Sequence, residues 1–399
     1  MGIKLGICGV GAFADNFIPL FKAHPLVDGI VLCDLDAAKL QAKADKFGLP
    51  RTCPSLEKLC ESEVDAIAIY SQNWMHGPQA VQALKAGKDV YSAVPSAISM
   101  EQITELVKTV EQTHRIYMVG ETSYYYPQSI YCRDRFRKGD FGRIVYAEGE
   151  YYHDFDHGLY DVFKWRGGDD WKKYAGSPPM HYPTHSTSMI VSVTGAHMTQ
   201  VSCLGVTDQH EDGLYRRGVN LWDNVFSDES ALFRMSDGSV CRINEFRRVG
   251  YSGPGERGSI YGTLGSFELQ ANGSVWVTKK TEEMTDLTEL LKGRQMAVDE
   301  VEGDMAKLAP SDAAFFCASA VHPVERLPKA FRGLPNGHCG SHQFLVDDFV
   351  KACVNRQLPP TNVWQAARYL VPGLIAHESA LKEGQVLPVP DFGDAPASW

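Results

Sequence analysis

Ile3-Lys4-Leu5-Gly6-Ile7-Cys8-Gly9-Val10-Gly11-Ala12-Phe13-Ala14 opens the chain and decides its fold. Residues 3–8 form a short apolar run suited to a strand of a parallel sheet covered on both faces. Gly9, Gly11 and Ala14 then make a GxGxxA turn, and Phe17, Leu20 and Phe21 fall on one side of the helical pattern that follows. Each part has a task. Gly9 permits the tight turn, Gly11 lets backbone approach a pyrophosphate, and the helix start around Ala12 and Phe13 offers free N–H groups and a positive dipole end. A second strand, residues 29–33, ends in Asp34. A carboxylate there binds the adenosine ribose hydroxyls of a dinucleotide and repels a 2′-phosphate, so NAD rather than NADP is the expected cofactor.

The alternation of helix and strand continues. Residues 40–47 read as a helix ended by Gly48, and residues 64–70 as a strand leading into a polar loop, 71–76. A helix over 78–86 and a strand over 88–92 lead to Ala93-Val94-Pro95, and residues 116–120 form the last strand of a Rossmann domain spanning 1–122. In open parallel sheets ligands sit beyond the carboxyl ends of the strands. Ser71, Asn73, His76 and Pro95 are therefore expected at the cofactor. Glu121 either faces the nicotinamide ribose or caps the next helix.

Composition excludes several classes. The chain has 399 residues, 44% hydrophobic and 22% charged, ordinary globular values at a length that suggests two domains. A formal net charge of -10 argues against nucleic-acid and anionic-membrane partners, which are held by cationic surface. Ten cysteines are scattered without a CxxC pair, so a zinc ribbon or dithiol redox centre has no support. The N-terminus reads as a strand rather than a leader, and no 18-residue apolar stretch suggests a membrane span. A cytoplasmic location is expected.

The GxGxxA turn, Asp34, the segment VDAIAIYSQNWMHGPQAVQALKAGKDVYSAVP (64–95) and KGDFGRIVYAEGEY (138–151) together resemble the Gfo/Idh/MocA oxidoreductase family along the whole chain. The resemblance implies a Rossmann domain followed, over 123–399, by an α+β substrate-binding domain on an open, mostly antiparallel sheet. It also implies NAD(P), a sugar or cyclitol substrate, and a homo-oligomer, dimer or tetramer. Two departures stand at the expected site. Family dehydrogenases carry Glu-Lys-Pro where this chain has Ala93-Val94-Pro95, and an Asp four residues before the catalytic His where this chain has His181. Both departures are shared by a branch of NAD-dependent glycoside hydrolases typified by α-N-acetylgalactosaminidases, whose Tyr-Pro-Thr-His motif matches Tyr182-Pro183-Thr184-His185. Tyr152-His153-Asp154 matches that branch's His-Asp, while Ser186-Thr187-Ser188-Met189 departs from its Gly-Leu-Gly-Pro and leaves the sugar open.

That likeness implies an NAD-dependent glycosidase: transient oxidation at C3 of the sugar, loss of the C2 proton, elimination of the aglycone, addition of water and re-reduction, an exception to paired-carboxylate hydrolysis. Tyr182 and His185, three apart and so neighbours on a helical turn, are the expected catalytic pair. His153, Asp154, Trp171 and His181 are expected at the substrate. The alternative is a sugar or cyclitol dehydrogenase with an altered proton relay, and a third reading is a sensor on the same fold.

Aromatic residues crowd between 117 and 182, including Tyr124, Tyr125, Tyr126, Tyr151, Tyr152, Trp165 and Trp171. They suit the apolar faces of sugar rings, and core or interface packing accounts for them equally. His153 and His157 have ligand-like spacing, but an extended strand separates them by about 13 Å at roughly 3.3 Å per residue, so no metal is expected. Further on, residues 230–235 and 239–246 read as a hairpin around Ser236-Asp237-Gly238. Residues 260–269 resemble the family's G-T-x-G strand connection. Residues 281–313 read as an aperiodic insertion. Gly337-His338-Cys339-Gly340-Ser341-His342 precedes a helix that Ser341 is expected to cap, its histidines closing over the sugar or merely starting the helix.

Overall fold

The apolar runs become a six-stranded parallel sheet. Its strands β1 (Ile3–Cys8), β2 (Val27–Cys33), β3 (Thr52–Cys53), β4 (Ala66–Ile69), β5 (Asp89–Ser92) and β6 (Tyr117–Val119) lie in the order β3-β2-β1-β4-β5-β6. This is the doubly wound Rossmann order, with its switch point between β1 and β4. β4, β5 and β6 are buried at every residue, as strands covered on both faces require. The computed structural model describes residues 2–251, 253–293, 316–397 and 399; residues 294–313 of the expected insertion lie outside them.

At the end of β1, Gly9 has φ +86°, and a Cβ there would stand 2.6 Å from the Ser71 nitrogen and 2.7 Å from the Tyr70 carbonyl carbon. Glycine is needed both for the backbone conformation and for the approach of β4. The helix expected directly after the turn is delayed. Ala14–Asn16 form a 3-10 turn, and the α-helix Ile18–Ala23 starts later with a proline in its first turn. The helix Ala37–Phe47 ends at Gly48 with φ 60°, in the left-handed region as read from sequence. The next helix, His76–Lys85, starts two residues earlier than expected.

The chain divides into two compact units, and the division is not the single cut at 122. The first comprises Met1–Pro127, Leu290–Ala367 and Phe392–Trp399; the second comprises Gln128–Glu289 and Arg368–Asp391. The cause lies in the apolar face of the helix His342–Asn355. Phe349 sets its ring 5.6 Å from Tyr91 of β5 and 6.4 Å from Phe21, and Phe344 stacks on Tyr125 at 5.0 Å. Each such ring, removed from water, contributes about 1.5–3 kcal/mol. Farther along, Thr361 is tied to the edge strand β6, its carbonyl accepting from the Val119 N–H at 2.9 Å and its hydroxyl donating to the Val119 carbonyl at 2.6 Å.

The second unit is built on nine strands: β7 (Ile144–Tyr152), β8 (Met198–Thr207), β9 (Phe226–Met235), β10 (Val240–Phe246), β11 (Glu256–Gly262), β12 (Gly265–Gln270), β13 (Gly273–Thr278), β14 (Thr285–Asp286) and β15 (Leu387–Pro388). Their order is β14-β13-β12-β11-β7-β10-β9-β8-β15, antiparallel throughout except for the β7–β10 pair. The hairpin at 236–238 forms as expected, with Gly238 at φ 86°. Residues 260–269 form a second hairpin, β11 to β12. Residues 281–293 are not a loop: they hold a 3-10 turn, the edge strand β14 and the short helix Thr288–Leu291.

The helix Thr184–Thr194, buried from Thr184 to Val191, lies on one face of this sheet. It sits so close that a Cβ on Gly149 of β7 would overlap the Ser186 carbonyl, and one on Gly258 of β11 would touch Met189 at 3.5 Å. Gly149→Ala is therefore expected to force the helix off the sheet and lower stability by about 1–3 kcal/mol, the usual cost of overpacking. Thermal unfolding checks this, and an unchanged melting temperature would contradict the packing described.

Candidate functional site

Two groups of residues carry chemistry, one in each unit. In the first, the residues expected at a dinucleotide gather beyond the carboxyl ends of β1, β2, β4, β5 and β6. The Gly9 N–H bonds the Cys33 carbonyl at 2.8 Å, and the Val10 N–H bonds the Asp34 carboxylate at 3.0 Å. Gly11 and Phe13 are half-buried and Ala12 is exposed at the tip of the turn. Asp34 also accepts from the Asp36 N–H at 3.0 Å, with the Lys39 ammonium 3.7 Å away. Its carboxylate thus braces the glycine turn from the next strand, and a carboxylate with two oxygens retains acceptor capacity for ribose hydroxyls.

The loops after β4 and β5 are tied by one ring. His76 is buried, its Nδ1 2.9 Å from the Pro95 carbonyl and its Nε2 3.0 Å from the Ser71 carbonyl. It lies on the first turn of a helix rather than in an open loop, so its visible work is to position Ser71 and Pro95. Asn73 starts the 3-10 turn Asn73–Met75. Glu121 takes the capping alternative: fully buried, it accepts from the Ser123 N–H at 3.0 Å and the Ser123 hydroxyl at 2.9 Å. His338 and His342 belong to this unit too, their rings 5.8 and 6.0 Å from Phe13. Ser341 does not cap as expected; its hydroxyl donates to Gly337 at 3.3 Å because the preceding residues turn through positive φ at His338 and Cys339.

The second group forms where the helix Thr184–Thr194 meets the sheet. Tyr182 is not on that helix. It closes the 3-10 turn Pro179–His181, and Pro183 stands at the helix N-cap rather than in its first turn. The pair still converges, with the Tyr182 and His185 rings 5.4 Å apart. Beneath them the sheet register supplies a row that sequence reasoning missed. Tyr151 of β7 is the direct partner of Glu245 on β10 and of Glu256 on β11; residues opposite one another across strands face the same way. The Tyr151 ring lies 5.5 Å from His185 and 6.0 Å from Tyr182, and the Glu256 carboxylate is 3.9 Å from His185 Nδ1. The missed signal was available as alternation: in Glu150-Tyr151-Tyr152-His153, period two sends Tyr151 and His153 to one face. Tyr152 goes to the other, stacked on Phe246 at 4.8 Å.

Burial sets the protonation of this row. Tyr151 is held well above the usual phenol range by burial and then by the Glu256 charge. Burial and the neighbouring Arg247 lower His153 to about 4. A phenol that keeps its proton beside a neutral imidazole donates to it, and the Tyr151 oxygen is 2.7 Å from His153 Nδ1. Arg247 lies over the Tyr151 ring at 4.7 Å and pairs with Glu245 at 3.0 Å. Burial pushes Glu245 up to about 8 against the pull of Arg247 and of the Ser186 hydroxyl, which donates to it.

The remaining expected substrate residues part company. Asp154 is occupied structurally, accepting from the Val249 N–H at 2.7 Å and the Asp156 N–H at 2.9 Å. His181 packs 5.0 Å from the His377 ring, and His377 bonds the buried Glu229 at 2.8 Å. Glu229 also accepts from the Met180 N–H at 2.8 Å, so this trio grips the turn that carries Tyr182. Trp171 stands in the short helix Trp171–Ala175, at a cavity beside Tyr160. Among the described residues no group of three or more His, Cys, Asp or Glu is placed to hold a metal ion, and no helix is long and apolar enough to cross a membrane.

Residues 3–121 match the Gfo/Idh/MocA family model, an oxidoreductase family with an NAD-binding Rossmann fold. The glycine turn and Asp34 fit that group, and NAD is the cofactor of the first unit. Among curated proteins the chain is 24% identical to a glycosyl hydrolase family 109 protein of Streptomyces filamentosus, over 98% of this chain and 77% of that one. It is 32% identical to an alpha-N-acetylgalactosaminidase of Bacteroides fragilis, over 49% of this chain and 49% of that one, so that match spans about half the length of either protein. In fold it is similar to scyllo-inositol dehydrogenase from Lactobacillus casei, solved with NAD(H) and scyllo-inositol, at a TM-score of 0.68, 16% identity, 97% of this chain and 98% of that one.

Two half-buried histidines predict that acid destabilises the second unit. His153 is lowered to about 4, and His181 to about 3 by burial and His377. The unfolded chain takes up both protons near pH 6.5, whereas the folded chain resists until pH 4 or below. Their contribution is complete above pH 6.5 and is lost as pH falls toward 4, at up to about 1.4 kcal/mol per pH unit for each group. Thermal melts from pH 7 to 4 check this: the slope should be shallower in His153→Gln and in His181→Gln.

Proposed function

We propose, from the match of residues 3–121 to the Gfo/Idh/MocA oxidoreductase family model and the likeness to a glycosyl hydrolase family 109 protein, that this enzyme is an NAD-dependent glycosidase. The observation that carries this reading is the convergence of Tyr182 and His185, rings 5.4 Å apart, over a row containing Glu256 and Tyr151. It is supported by the Ala93-Val94-Pro95 segment, which offers no lysine to draw a proton from a substrate hydroxyl, and by relatives named as glycoside hydrolases over both short and long alignments.

Bound NAD supplies reversible hydride acceptance, through which a sugar carbon becomes a ketone and the neighbouring C–H becomes acidic. The chain's own residues then handle protons. His185 takes the proton from the carbon next to the ketone, and Glu256, 3.9 Å from its Nδ1, orients the imidazole and compensates the positive charge that results. Tyr182 holds its hydroxyl toward the same ring and donates to the departing glycosidic oxygen as the C1–O bond breaks. Tyr151 keeps its own proton and, engaged with His153, is a fixed dipole rather than a base. Water adds at C1 and gives its proton to Tyr182, His185 returns its proton to the carbon next to the ketone, and the hydride held on bound NAD would restore the C3 hydroxyl, so that no net oxidation results. The named relative suggests an N-acetylhexosamine as the sugar.

The test is incubation with aryl glycosides in deuterated water without added cofactor. Aglycone release, deuterium at C2 and no accumulation of NADH are expected. Stoichiometric NADH with an oxidised sugar would overturn the hydrolase in favour of a sugar or cyclitol dehydrogenase. Tyr182→Phe and His185→Ala should each lower turnover by at least ~100-fold, the scale of a lost general acid or base, with NAD still bound. Turnover near the parent value in both would remove the pair from the mechanism. Glu256→Gln should lower kcat by about tenfold or more while leaving KM little changed, as expected for a group that orients the base rather than holding substrate.

A further inference from the structure

We propose that a second saccharide site lies on the second unit, in the cavity lined by Tyr160, Lys164 and Trp171, and that it receives a neutral sugar. The proposal rests on the glycosidase reading. The cavity has a volume of about 470 Å³, within the range of small-ligand sites. It is formed by the 3-10 turn Phe155–His157 and the helices Leu159–Gly167 and Trp171–Ala175.

Its walls are aromatic and fixed before any ligand arrives. The Tyr160 and Trp171 rings meet edge to face at 6.2 Å, both partly exposed. Behind them Trp171 and Tyr160 rest on a small core of Phe155, Ala175, Leu214 and Tyr215. The Tyr160 oxygen is held by Arg248 Nη1 at 2.8 Å and by Asp212. The Lys164 ammonium lies over the Tyr160 ring at 5.6 Å and the Trp171 ring at 5.5 Å, and that of Lys172 over Trp171 at 5.8 Å; rings already ordered lose little freedom when a sugar's C–H face replaces these ammonium groups. The polar lining is balanced. Lys164 and Lys172 share the lining with Asp156 and Asp161, while Asp212 is paired with Arg248. An anionic ligand would meet two exposed carboxylates and a cationic one two ammonium groups; a neutral polyol can bond to both kinds.

One strand end serves both the cavity and the Tyr182–His185 cluster. Arg247 and Arg248 are consecutive. The first lies over Tyr151 at 4.7 Å and pairs with Glu245; the second lies over Phe155 at 4.5 Å and binds Tyr160. Just past the end of β7, His153 of the proton-handling row and Phe155, which opens the 3-10 turn at the cavity, are two residues apart.

The experiment applies the full NAD-loaded chain to an array of neutral and acidic glycans, beside Trp171→Ala and the surface variant Asp161→Lys. The expected result is retention of neutral glycans of two or more sugars, weakened about fivefold or more in each variant, a loss on the scale of one aromatic or polar contact. Retention of acidic glycans alone, or of none, overturns the proposal. So does unchanged retention by Asp161→Lys, whatever Trp171→Ala does, because Trp171 also packs on the small core. The two readings fail separately. Neutral-glycan retention without aglycone release from any aryl glycoside sinks the hydrolase and leaves the cavity, and aglycone release without retention does the reverse.

Discussion

The approach of the helix Thr184–Thr194 to the sheet at Gly149 is the constraint on which the second unit depends. Without a side chain at 149, the Ser186 carbonyl reaches the strand itself. That places the Ser186 hydroxyl on Glu245 and brings the His185 ring over Tyr151. Two strands must therefore present small or polar residues under the first turn of the helix, and the cost of burying Glu245 and Arg247 is met by pairing them with each other. The contact is steric, but its product is electrostatic: an imidazole and a phenol held in a row whose protons are assigned by burial.

This explains what was legible in the sequence and what was not. The Rossmann sheet follows from short-range signals, because a buried parallel strand and a glycine turn announce themselves within about ten residues. The Tyr182-Pro183-Thr184-His185 motif is equally local. Glu245 and Glu256 are not: each becomes part of the site only through its pairing with Tyr151 across a strand boundary, and register is a long-range property. The same distinction accounts for Ser341. A serine before an apolar helical run is a sound capping signal, yet positive φ at His338 and Cys339 aims its hydroxyl backward to Gly337.

The division of the chain was hidden for a related reason. The apolar stripe of His342–Asn355 was visible as Phe344, Leu345, Phe349 and Val350, but an amphipathic stripe does not name the surface it will cover. Here that surface is the parallel sheet and its helices, and the fit is reinforced by charge: buried Asp347 accepts from Lys351 at 2.8 Å and Arg326 at 3.1 Å, with His24 3.3 Å away. Three partners converge on one carboxylate whose ordinary value is lowered despite burial. Such a junction holds two distant segments in one register, since the buried carboxylate keeps its charge only while these partners surround it.

Arg247 and Arg248 show how one strand end divides its work. Extended backbone sends consecutive side chains to opposite sides, so one guanidinium enters the Glu245–Tyr151 row and the next turns to Asp212, Tyr160 and Phe155. The first is fully enclosed and its role is compensation. The second stands behind the cavity, where its planar donor set holds the lining residues Tyr160 and Asp212. Both are drawn to the same place by Asp228, whose carboxylate accepts the N–H of Arg247 at 2.9 Å and of Arg248 at 3.0 Å. A single buried carboxylate on β9 thus fixes the backbone from which both arginines depart, and through them couples the order of the proton-handling row to the order of the neighbouring cavity.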